Sequence, residues 1–396
     1  MFSRRLAWST PENALAAAER RLRAAGAPLL DLTVSNPTAV ALPDRGAALA
    51  AAFADPAIAR YLPSAPGPRA ARELVAAEQA RLGARVAPDR IVLSASSSES
   101  YSWLFKLLCD PGDVVLVPEP SYPLFDYLAA LEGLATRRYR LVWAGEWQID
   151  WSSVAAALPG ARVVTVVNPN NPTGSFLRAP DLARLGALAA AHDAALIFDE
   201  VFADYANAAP ADAVRSVAAV PLPGLGFALG GLSKSAGLPQ LKLGWITVLG
   251  PEVLAAPALS HLALIADTYL SVGTPVLSAL PRLLPIGAAL RADLTARIAD
   301  NRACLARLVT RAAPLTALAA EGGWSAILRV PAQLGEEAWA LALLEEDGVV
   351  VQPGYFFDLT GLGSTLVVSL LTLPEVFAAG IARIVARAAA LADPGP

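Results

Sequence analysis

This sequence is poor in the residues from which many catalytic nucleophile systems and metal sites are built. Its 396 residues include only two histidines, two cysteines and one methionine. Ser-His-Asp triads and His-rich metal centres need histidine, so His192 and His261 leave little room for either. Cys109 and Cys304 lie in apolar helical segments, which is typical of small buried residues and not of a disulfide or a metal ligand. We therefore predict no metal site.

Lysine is scarce as well. Of the 31 basic residues only three are lysines, Lys106, Lys234 and Lys242, and the others are arginines. The net charge of -4 gives no basic surface for nucleic acid, and no uncharged apolar run reaches membrane-spanning length. The first 26 residues carry early arginines and then a charged helix, which is not the pattern of a signal peptide. The sequence predicts a cytoplasmic protein without nucleic-acid or membrane partners.

Short apolar segments bounded by Gly, Pro or Asn alternate with alanine-rich helical segments from about residue 68 onward. Such alternation is typical of a mostly parallel sheet with helices on both faces. After about Pro285 the pattern changes to a long helix followed by mixed strands and helices, which predicts a smaller α+β unit. The predicted strands of the sheet are residues 90–96, 113–120, 161–169, 194–200, 226–231 and 243–250.

Polar clusters follow five of these predicted strands. In mostly parallel sheets, ligands bind in the crevice outside the carboxyl ends of the strands, so we expect the clusters to lie around one site. They are residues 94–98, 118–122 and 168–174, the pair Asp199 and Glu200, and Lys234.

Lys234 lies in the segment GGLSKSAGLPQLKLGW, residues 230–245. A solvated surface amine is the usual fate of lysine, but the glycines and small residues here bring backbone close to whatever the amine touches. A nucleotide-binding P-loop fails on spacing, because Ala228 and Ser233 occupy its two glycine positions. An amine condenses with an aldehyde whereas a guanidinium does not, so a Schiff base with pyridoxal phosphate is the third interpretation.

Pyridoxal phosphate needs an acid partner for its ring nitrogen and a cradle for its phosphate, and the sequence offers both. Asp199, at the end of a predicted strand, is placed to keep the ring nitrogen protonated, although a helix N-cap is an equally common role for an isolated aspartate. The segment SASSSES, residues 94–100, offers backbone N–H groups and hydroxyls at a helix N-terminus. Taken alone, a serine-rich cap has only a structural meaning.

Together these segments resemble the fold-type I pyridoxal-phosphate aminotransferases of class I/II along nearly the whole chain. The most specific motifs, in order, are NPNNPTG at 168–174, DE at 199–200 and LSK at 232–234, followed by a basic residue and glycine at 242–244. The resemblance implies an α/β fold whose large cofactor domain, residues 41–285, has a mostly parallel seven-stranded sheet covered by helices. Residues 1–40, with an N-terminal arm, and 286–396 would form the small α+β domain.

The resemblance also assigns roles to individual residues. Lys234 would form the internal aldimine and move the substrate proton, Asp199 would hold the ring nitrogen, and Asn171 would donate to the phenolic oxygen. Tyr122 would stack on the ring. Tyr61 would reach the phosphate in the neighbouring subunit of a homodimer. The remaining cofactor-binding candidates are Ser96, Ser97, Ser98, Ser233 and Lys242, and the candidate substrate contacts are Asn36, Trp324 and Tyr355.

Four positions depart from the family's pattern. Lys242 and Gly231 replace an arginine and a serine that bind phosphate, and Phe202 replaces a tyrosine that donates to the phenolic oxygen. Val367 replaces the arginine that binds the substrate's α-carboxylate. A desolvated charge pair that lacks one partner typically costs about 2–5 kcal/mol, so ordinary α-amino acids would bind weakly unless another arginine substitutes.

The function that the resemblance implies is transfer of an amino group between an amino acid, or an amine, and an oxo acid. The same lysine and ring partner would serve a pyridoxal-phosphate lyase, racemase, decarboxylase or oxidase, so the ring motifs do not separate these reactions. A third possibility is a non-catalytic protein that binds the cofactor. The retention of Lys234 together with Asp199 and Asn171 argues against this last interpretation.

Overall fold

The computed structural model describes residues 2–6, 8, 12–310 and 313–392. In chain order, its strands are β1 Leu30–Asp31, β2 Ile91–Ser94, β3 Val114–Glu119, β4 Ala135–Trp143, β5 Trp147–Ile149, β6 Ala161–Val167, β7 Ala195–Asp199, β8 Gly226–Gly231, β9 Gly244–Leu249, β10 Thr316–Ala317, β11 Ser325–Arg329, β12 Val349–Val350, β13 Gln352–Pro353 and β14 Thr365–Ser369. Its α-helices are α1 Ala14–Ala24, α2 Gly46–Ala52, α3 Arg69–Ala80, α4 Ser97–Leu108, α5 Leu124–Leu131, α6 Trp151–Ala157, α7 Ala179–Ala191, α8 Leu232–Ser235, α9 Glu252–Tyr269, α10 Thr274–Leu308, α11 Glu336–Glu345 and α12 Pro374–Ala392.

The central sheet has the strand order β2-β9-β8-β7-β6-β3-β4-β5. Strands β4, β3, β6, β7 and β8 are parallel to one another, whereas β9 is antiparallel to both β8 and β2, and β5 is antiparallel to β4. All six predicted strand segments are strands of this sheet, which confirms the predicted mostly parallel α/β fold. The sheet has eight strands, one more than the predicted seven.

The additional strand belongs to a hairpin at one edge of the sheet. Strand β4, ATRRYRLVW, pairs with β3 and then turns back as β5, with Trp143 opposite Trp147. Most of its side chains are exposed or half-buried, because it carries arginines towards solvent. This edge of the sheet therefore lacks the uninterrupted apolar run that is typical of a central strand.

Helices cover both faces of the central sheet because its strands alternate their buried side chains. On one face, Ile197 packs in a core with residues of α4, α5 and α9. On the other face, the flanking residues Leu196 and Phe198 pack with residues of α6 and α7. Alternate strand positions point to opposite faces, so β7 is apolar throughout until Asp199.

A second sheet, with strand order β10-β11-β14-β13, lies among α1, α10, α11 and α12, while β1 pairs with β12. The core around it joins Leu15 and Leu32 from the start of the chain with Leu366 and Phe377 from its end. The predicted small domain of residues 1–40 and 286–396 stays a prediction. The division at residue 285 stays a prediction, and it falls inside α10.

Two apolar helices, α9 and α10, follow the central sheet. No single helix among the described residues is long and apolar enough to cross a membrane. Only α9 and α10 together, with a bend of 115° between them, reach that length and composition. Helix α10 contributes Leu294 and Ile298 to the core of the second sheet.

Candidate active site

Lys234 lies in the short helix α8, which begins directly after β8. Its Nζ lies 4.9 Å from the centre of the Trp324 ring and 5.7 Å from that of Phe202. Among the described residues, none accepts a hydrogen bond from this amine. Burial lowers the pKa of Lys234, and the nearby Asp199 carboxylate opposes that shift. The amine is therefore positioned by aromatic surfaces and left free to react.

Asp199 ends β7, beside Leu229 of β8, so it faces the same crevice as Lys234. Its Oδ2 accepts a hydrogen bond from the Tyr101 hydroxyl at 3.2 Å, and its Oδ1 accepts one from Val201 N at 3.2 Å. Burial raises the pKa of Asp199 to about 6, against the effect of these hydrogen bonds and of Lys234. Above that pH the carboxylate is charged and can hold a proton on a ring nitrogen.

Asn171 connects the NPNNPTG loop with the second sheet. Its Oδ1 accepts a hydrogen bond from Ser325 Oγ at 3.2 Å, which orients the amide. Its Nδ2 has no acceptor within the described part of the chain, so it remains available as a donor. Asn168 anchors the start of the same loop, because its Nδ2 donates a hydrogen bond to Val214 O at 2.7 Å. The loop thus keeps the side-chain NH2 group of Asn171 without a partner among the described residues.

The N-terminus of α4 forms an open set of donors. Ser96 is the N-cap, and its Oγ accepts a hydrogen bond from Glu99 N at 3.2 Å. The Glu99 carboxylate accepts from Ala95 N at 2.6 Å. The N–H groups of Ser97 and Ser98 have no acceptor among the residues that the structure describes. Two unpaired N–H groups at the positive end of a helix dipole suit an anion such as phosphate.

Strand pairing brings this helix N-terminus next to the lysine. Gly244 of β9 lies opposite Ser94 on one side and opposite Gly231 on the other. Gly230 is explained by packing, since a Cβ there would lie 2.5 Å from the Trp245 ring. Gly230 and Gly231 therefore allow β9 to pack closely against β8. The sequence analysis predicted instead that these glycines bring the backbone close to a ligand.

Two further predicted residues, Tyr122 and Tyr355, line a surface cavity together. Tyr122 is 51% exposed and Tyr355 is 42% exposed, and both border a cavity of about 710 Å³. Arg138 in the same wall pairs with Asp126 at 2.7 Å and with Asp358 at 3.1 Å. The structure thus brings Tyr122 and Tyr355 together, while Trp324 is buried beside Lys234.

Three other predicted residues lie away from the lysine side chain in this single chain, and a fourth, Ser233, precedes Lys234 in α8. Tyr61 is 73% exposed, and Lys242 is exposed in the left-handed conformation at φ 52°. Asn36 is exposed, and its Oδ1 accepts hydrogen bonds from Thr38 N and Oγ1 at 3.0 and 2.9 Å. Ser233 is half-buried next to Lys234. Their roles towards a cofactor or a substrate stay predictions.

Val367 is buried in an apolar cluster. It is 1% exposed and packs with Trp147, Ile327 and Phe357. In the second sheet it lies opposite Ile327, on the same face as Ser325, which reaches Asn171. The Trp147 side chain comes from the edge hairpin β4–β5. The position at which the resemblance predicts an arginine is therefore filled by hydrocarbon and closed to solvent.

Several contacts of the site were not predicted from the sequence. Tyr101 reaches Asp199, Ser325 reaches Asn171, and the Tyr205 hydroxyl donates to Lys234 O at 2.6 Å. A local signal existed for Tyr101, because it lies one helical turn after Ser97 and so on the same side of α4. The other two contacts join distant segments, so no local pattern indicates them.

The residues present fit pyridoxal phosphate in their chemistry. The set comprises the amine of Lys234, the carboxylate of Asp199, which is charged near neutral pH, the side-chain amide of Asn171, and two unpaired backbone N–H groups at the N-terminus of α4. They would hold, respectively, the aldehyde, the ring nitrogen, the phenolic oxygen and the phosphate. These features define a pyridoxal-phosphate protein of fold type I.

The chain belongs to the aminotransferase class I and II family, which it matches over residues 27–373. Members of this family use pyridoxal phosphate. The structure is similar to that of an alanine aminotransferase from Pyrococcus furiosus, with a TM-score of 0.85 and 20% identity over 98% of this chain and 100% of that one.

Two curated relatives share part of the sequence. Nicotianamine aminotransferase 1 of Oryza sativa subsp. japonica is 28% identical over 56% of this chain and 45% of its own length. The S-alkyl-thiohydroximate lyase SUR1 of Arabidopsis thaliana is 29% identical over 42% of this chain and 36% of its own length. The chain thus spans less than half the length of each of these relatives.

Proposed function

We propose that this protein is a pyridoxal-phosphate-dependent aminotransferase that moves an amino group between an amino acid, or an amine, and an oxo acid. The observation that carries the proposal is the Lys234 amine, which has no hydrogen-bond acceptor among the described residues and lies beside Asp199 at the carboxyl edge of the sheet. When bound, pyridoxal phosphate supplies an aldehyde for amines and an electron-accepting ring.

Lys234 is the acid–base group of the proposed reaction. Burial lowers the pKa of Lys234, which favours the neutral amine that can take a proton from the substrate carbon and return it. The Trp324 and Phe202 rings limit where Nζ can move. The hydrogen bond from the Tyr205 hydroxyl to Lys234 O fixes the backbone of α8.

The other residues bind and orient the cofactor in this proposal. Asp199 holds the ring-nitrogen proton and Asn171 donates to the phenolic oxygen, while Tyr122 covers one face of the ring. The phosphate is bound by the N–H groups and hydroxyls at the start of α4, with help from α8 and the loop before β9. These phosphate-binding residues are Ser96, Ser97, Ser98, Ser233 and Lys242.

We further propose a homodimer in which Tyr61 of the partner subunit completes the phosphate site. The support is an exposed apolar stretch, since Ile58, Tyr61 and Leu62 are 43%, 73% and 74% exposed in the single chain. Exposed clusters of large apolar side chains are typical of protein interfaces. Sedimentation analysis would show a dimer, and Tyr61→Ala would weaken phosphate binding without removing the absorption of cofactor joined to Lys234.

A cytoplasmic location is the last part of this proposal. Its support is that Cys109 and Cys304 are both free thiols, one half-buried and one buried. Burial raises the pKa of the Cys109 thiol to about 12, so that side chain is unreactive at neutral pH.

The substrate is proposed to enter through the cavity beside Tyr122 and Tyr355 and to contact Trp324 next to Lys234. Asn36 is the further proposed contact. Val367 cannot bind a carboxylate, because it is buried in hydrocarbon. We therefore infer that the substrate's acidic group, where it has one, is held elsewhere.

The test uses purified protein with one pyridoxal phosphate per Lys234 and no oxo-acid acceptor. An α-amino acid, an ω-amino acid and a simple amine are each added, and the carbonyl product and ammonia are quantified. An aminotransferase yields one carbonyl product per site, no ammonia, and loss of the yellow absorption. No product with any donor, under conditions in which the cofactor is bound, contradicts the proposal.

A lyase is the second candidate function, favoured by the partial similarity to the S-alkyl-thiohydroximate lyase SUR1. In the same experiment a lyase releases product in many turnovers per site without an acceptor, and the yellow absorption persists. The amount of product per site therefore separates the two candidates directly. A Lys234→Ala preparation, measured in parallel, corrects for reactions of free pyridoxal phosphate in solution.

A further inference from the structure

Tyr101 makes the only side-chain hydrogen bond to Asp199 within the described part of the chain. Its hydroxyl donates to Asp199 Oδ2 at 3.2 Å, across 98 positions of sequence. The tyrosine is 2% exposed. The other Asp199 oxygen accepts only a backbone N–H group, from Val201. A carboxylate has about four lone-pair sites, so the remaining ones are left for a ligand.

Packing fixes the Tyr101 ring in this position. Its centre lies 5.4 Å from the Phe125 ring in an edge-on arrangement and 5.9 Å from the Phe105 ring. It belongs to the core that joins α4 and α5 to the central sheet. Dense packing around a buried ring restricts its motion, which holds the hydroxyl at Asp199.

The same helix carries the proposed phosphate cradle. Ser97 and Ser98 form the first turn of α4, and Tyr101 follows on the next turn. A displacement of α4 would therefore move the cradle and the Tyr101 hydroxyl together. One rigid element thus sets the distance between the anion site and the Asp199 carboxylate.

We propose that Tyr101 is a positioning residue that fixes the orientation of the Asp199 carboxylate and keeps it charged for a pyridine nitrogen. This inference rests on the proposed role of Asp199 towards the cofactor. It adds a residue that acts through Asp199 and does not itself touch a substrate.

The electrostatic surroundings support this role. Burial raises the pKa of Tyr101 well above its usual range, so the phenol keeps its proton near neutral pH and can donate a hydrogen bond to Asp199. Burial raises the pKa of Asp199, while the Tyr101 hydroxyl and the Val201 N–H group lower it. The other titratable groups nearby are Lys234 and Glu200 facing Asp199, and Tyr139 facing Tyr101.

The experiment compares Tyr101→Phe with Tyr139→Phe as a matched control. Tyr139 is also 2% exposed, and its hydroxyl donates to Thr165 O at 3.0 Å instead of to a carboxylate. The ionisation of Asp199 is followed in the apoprotein by carbon NMR of aspartate labelled at the carboxyl carbon. The resonance of Asp199 is identified by its absence in Asp199→Asn, and the dissociation constant of pyridoxal phosphate is measured for every variant.

Tyr101→Phe is expected to move the Asp199 titration midpoint up by about one pH unit, since hydrogen bonds to charged groups are the stronger ones. Because binding needs the charged carboxylate, the same change should weaken pyridoxal-phosphate binding only about twofold at pH 7 and about tenfold at pH 5, where the ionised fraction falls with the full shift. Tyr139→Phe should lower thermal stability by a similar amount as Tyr101→Phe and leave both the midpoint and the dissociation constant unchanged. The double variant Tyr101→Phe/Asp199→Asn should bind the cofactor as weakly as Asp199→Asn alone.

Three negative results are distinguishable. If Asp199→Asn binds pyridoxal phosphate as tightly as the unaltered protein, the proposed role of Asp199 fails, and the inference about Tyr101 fails with it. If Asp199→Asn weakens binding but Tyr101→Phe leaves the midpoint and the affinity unchanged, only the inference about Tyr101 is overturned. An equal shift in Tyr139→Phe would also overturn it, because a general loss of packing would then explain both variants.

Discussion

The two walls of the site differ in kind. The wall formed by the ends of β7, β8 and the NPNNPTG loop carries Asp199, Lys234 and Asn171, each oriented by neighbouring groups. The opposite wall, formed by the second sheet and the edge hairpin, has Ile327 and Val367 in a buried apolar cluster, and Ser325 on the same face of that sheet reaches Asn171. The first wall keeps what cofactor chemistry needs, whereas the second has the uncharged Val367 at the position where the resemblance predicts a carboxylate-binding arginine. In the proposed reaction, chemistry and substrate choice therefore depend on different parts of the chain.

Loss of the amine in the polar wall should have the largest effect. Lys234→Ala is expected to abolish the yellow absorption of cofactor joined to the protein and to lower turnover by at least about a thousandfold, because both the covalent attachment and the acid–base group are removed. Absorption spectra and kcat measure this. Lys234→Arg is the matched control, since it restores a cation that does not condense with an aldehyde, and it should be equally inactive. Absorption that persists in either variant would contradict the assignment.

A charge placed in the apolar wall should destabilise the protein. Val367→Arg buries a guanidinium among Trp147, Ile327 and Phe357 without a partner, which is expected to cost several kcal/mol and to lower Tm markedly. Val220→Arg is the control, because Val220 is 38% exposed and surface substitutions usually change stability by less than about 0.5 kcal/mol. Differential scanning calorimetry compares the two. A stable Val367→Arg protein with faster turnover of common α-amino acids would show that this wall opens to substrate.

The buried acids of the polar wall predict a smaller, pH-dependent effect. Burial raises the pKa of Asp199 to about 6 and that of Glu200 to about 7, so the folded apoprotein binds more protons than the unfolded chain between about pH 4 and pH 7. Their contribution to the free energy of unfolding is therefore complete at low pH and is lost as the pH rises through these values. A shift of about two pKa units corresponds to on the order of 3 kcal/mol for one group.

Glu200→Gln tests the sign of this effect. Glu200 accepts hydrogen bonds from Val217 N at 2.6 Å and Ser216 Oγ at 2.8 Å, and a neutral amide imitates its protonated form. Urea unfolding of the apoprotein should give similar stabilities for the variant and the unaltered protein near pH 4.5. The variant should then become relatively more stable towards pH 8. A constant difference across that range would argue against a raised pKa of Glu200.

The polar wall was largely predictable from the sequence because its signals are local. Apolar runs that end in Asp199 or lead into Lys234 identify strands, and residues at the ends of neighbouring parallel strands must share one edge of the sheet. The serine-rich start of α4 is likewise visible as a cap. The edge hairpin was missed because β4 carries arginines on its exposed side, so it lacks the uninterrupted apolar run of a central strand.

The sequence by itself determined the α/β class, the order of the strands along the chain and the chemical groups available at the site, since these depend on neighbouring residues and on composition. Only the tertiary structure decided that Tyr101 holds Asp199, that Ser325 holds Asn171 across 154 positions, and that Trp147 joins the apolar cluster around Val367. Each of these contacts joins residues far apart in the chain, and their geometry depends on how whole elements pack. A local pattern carries no information about that packing.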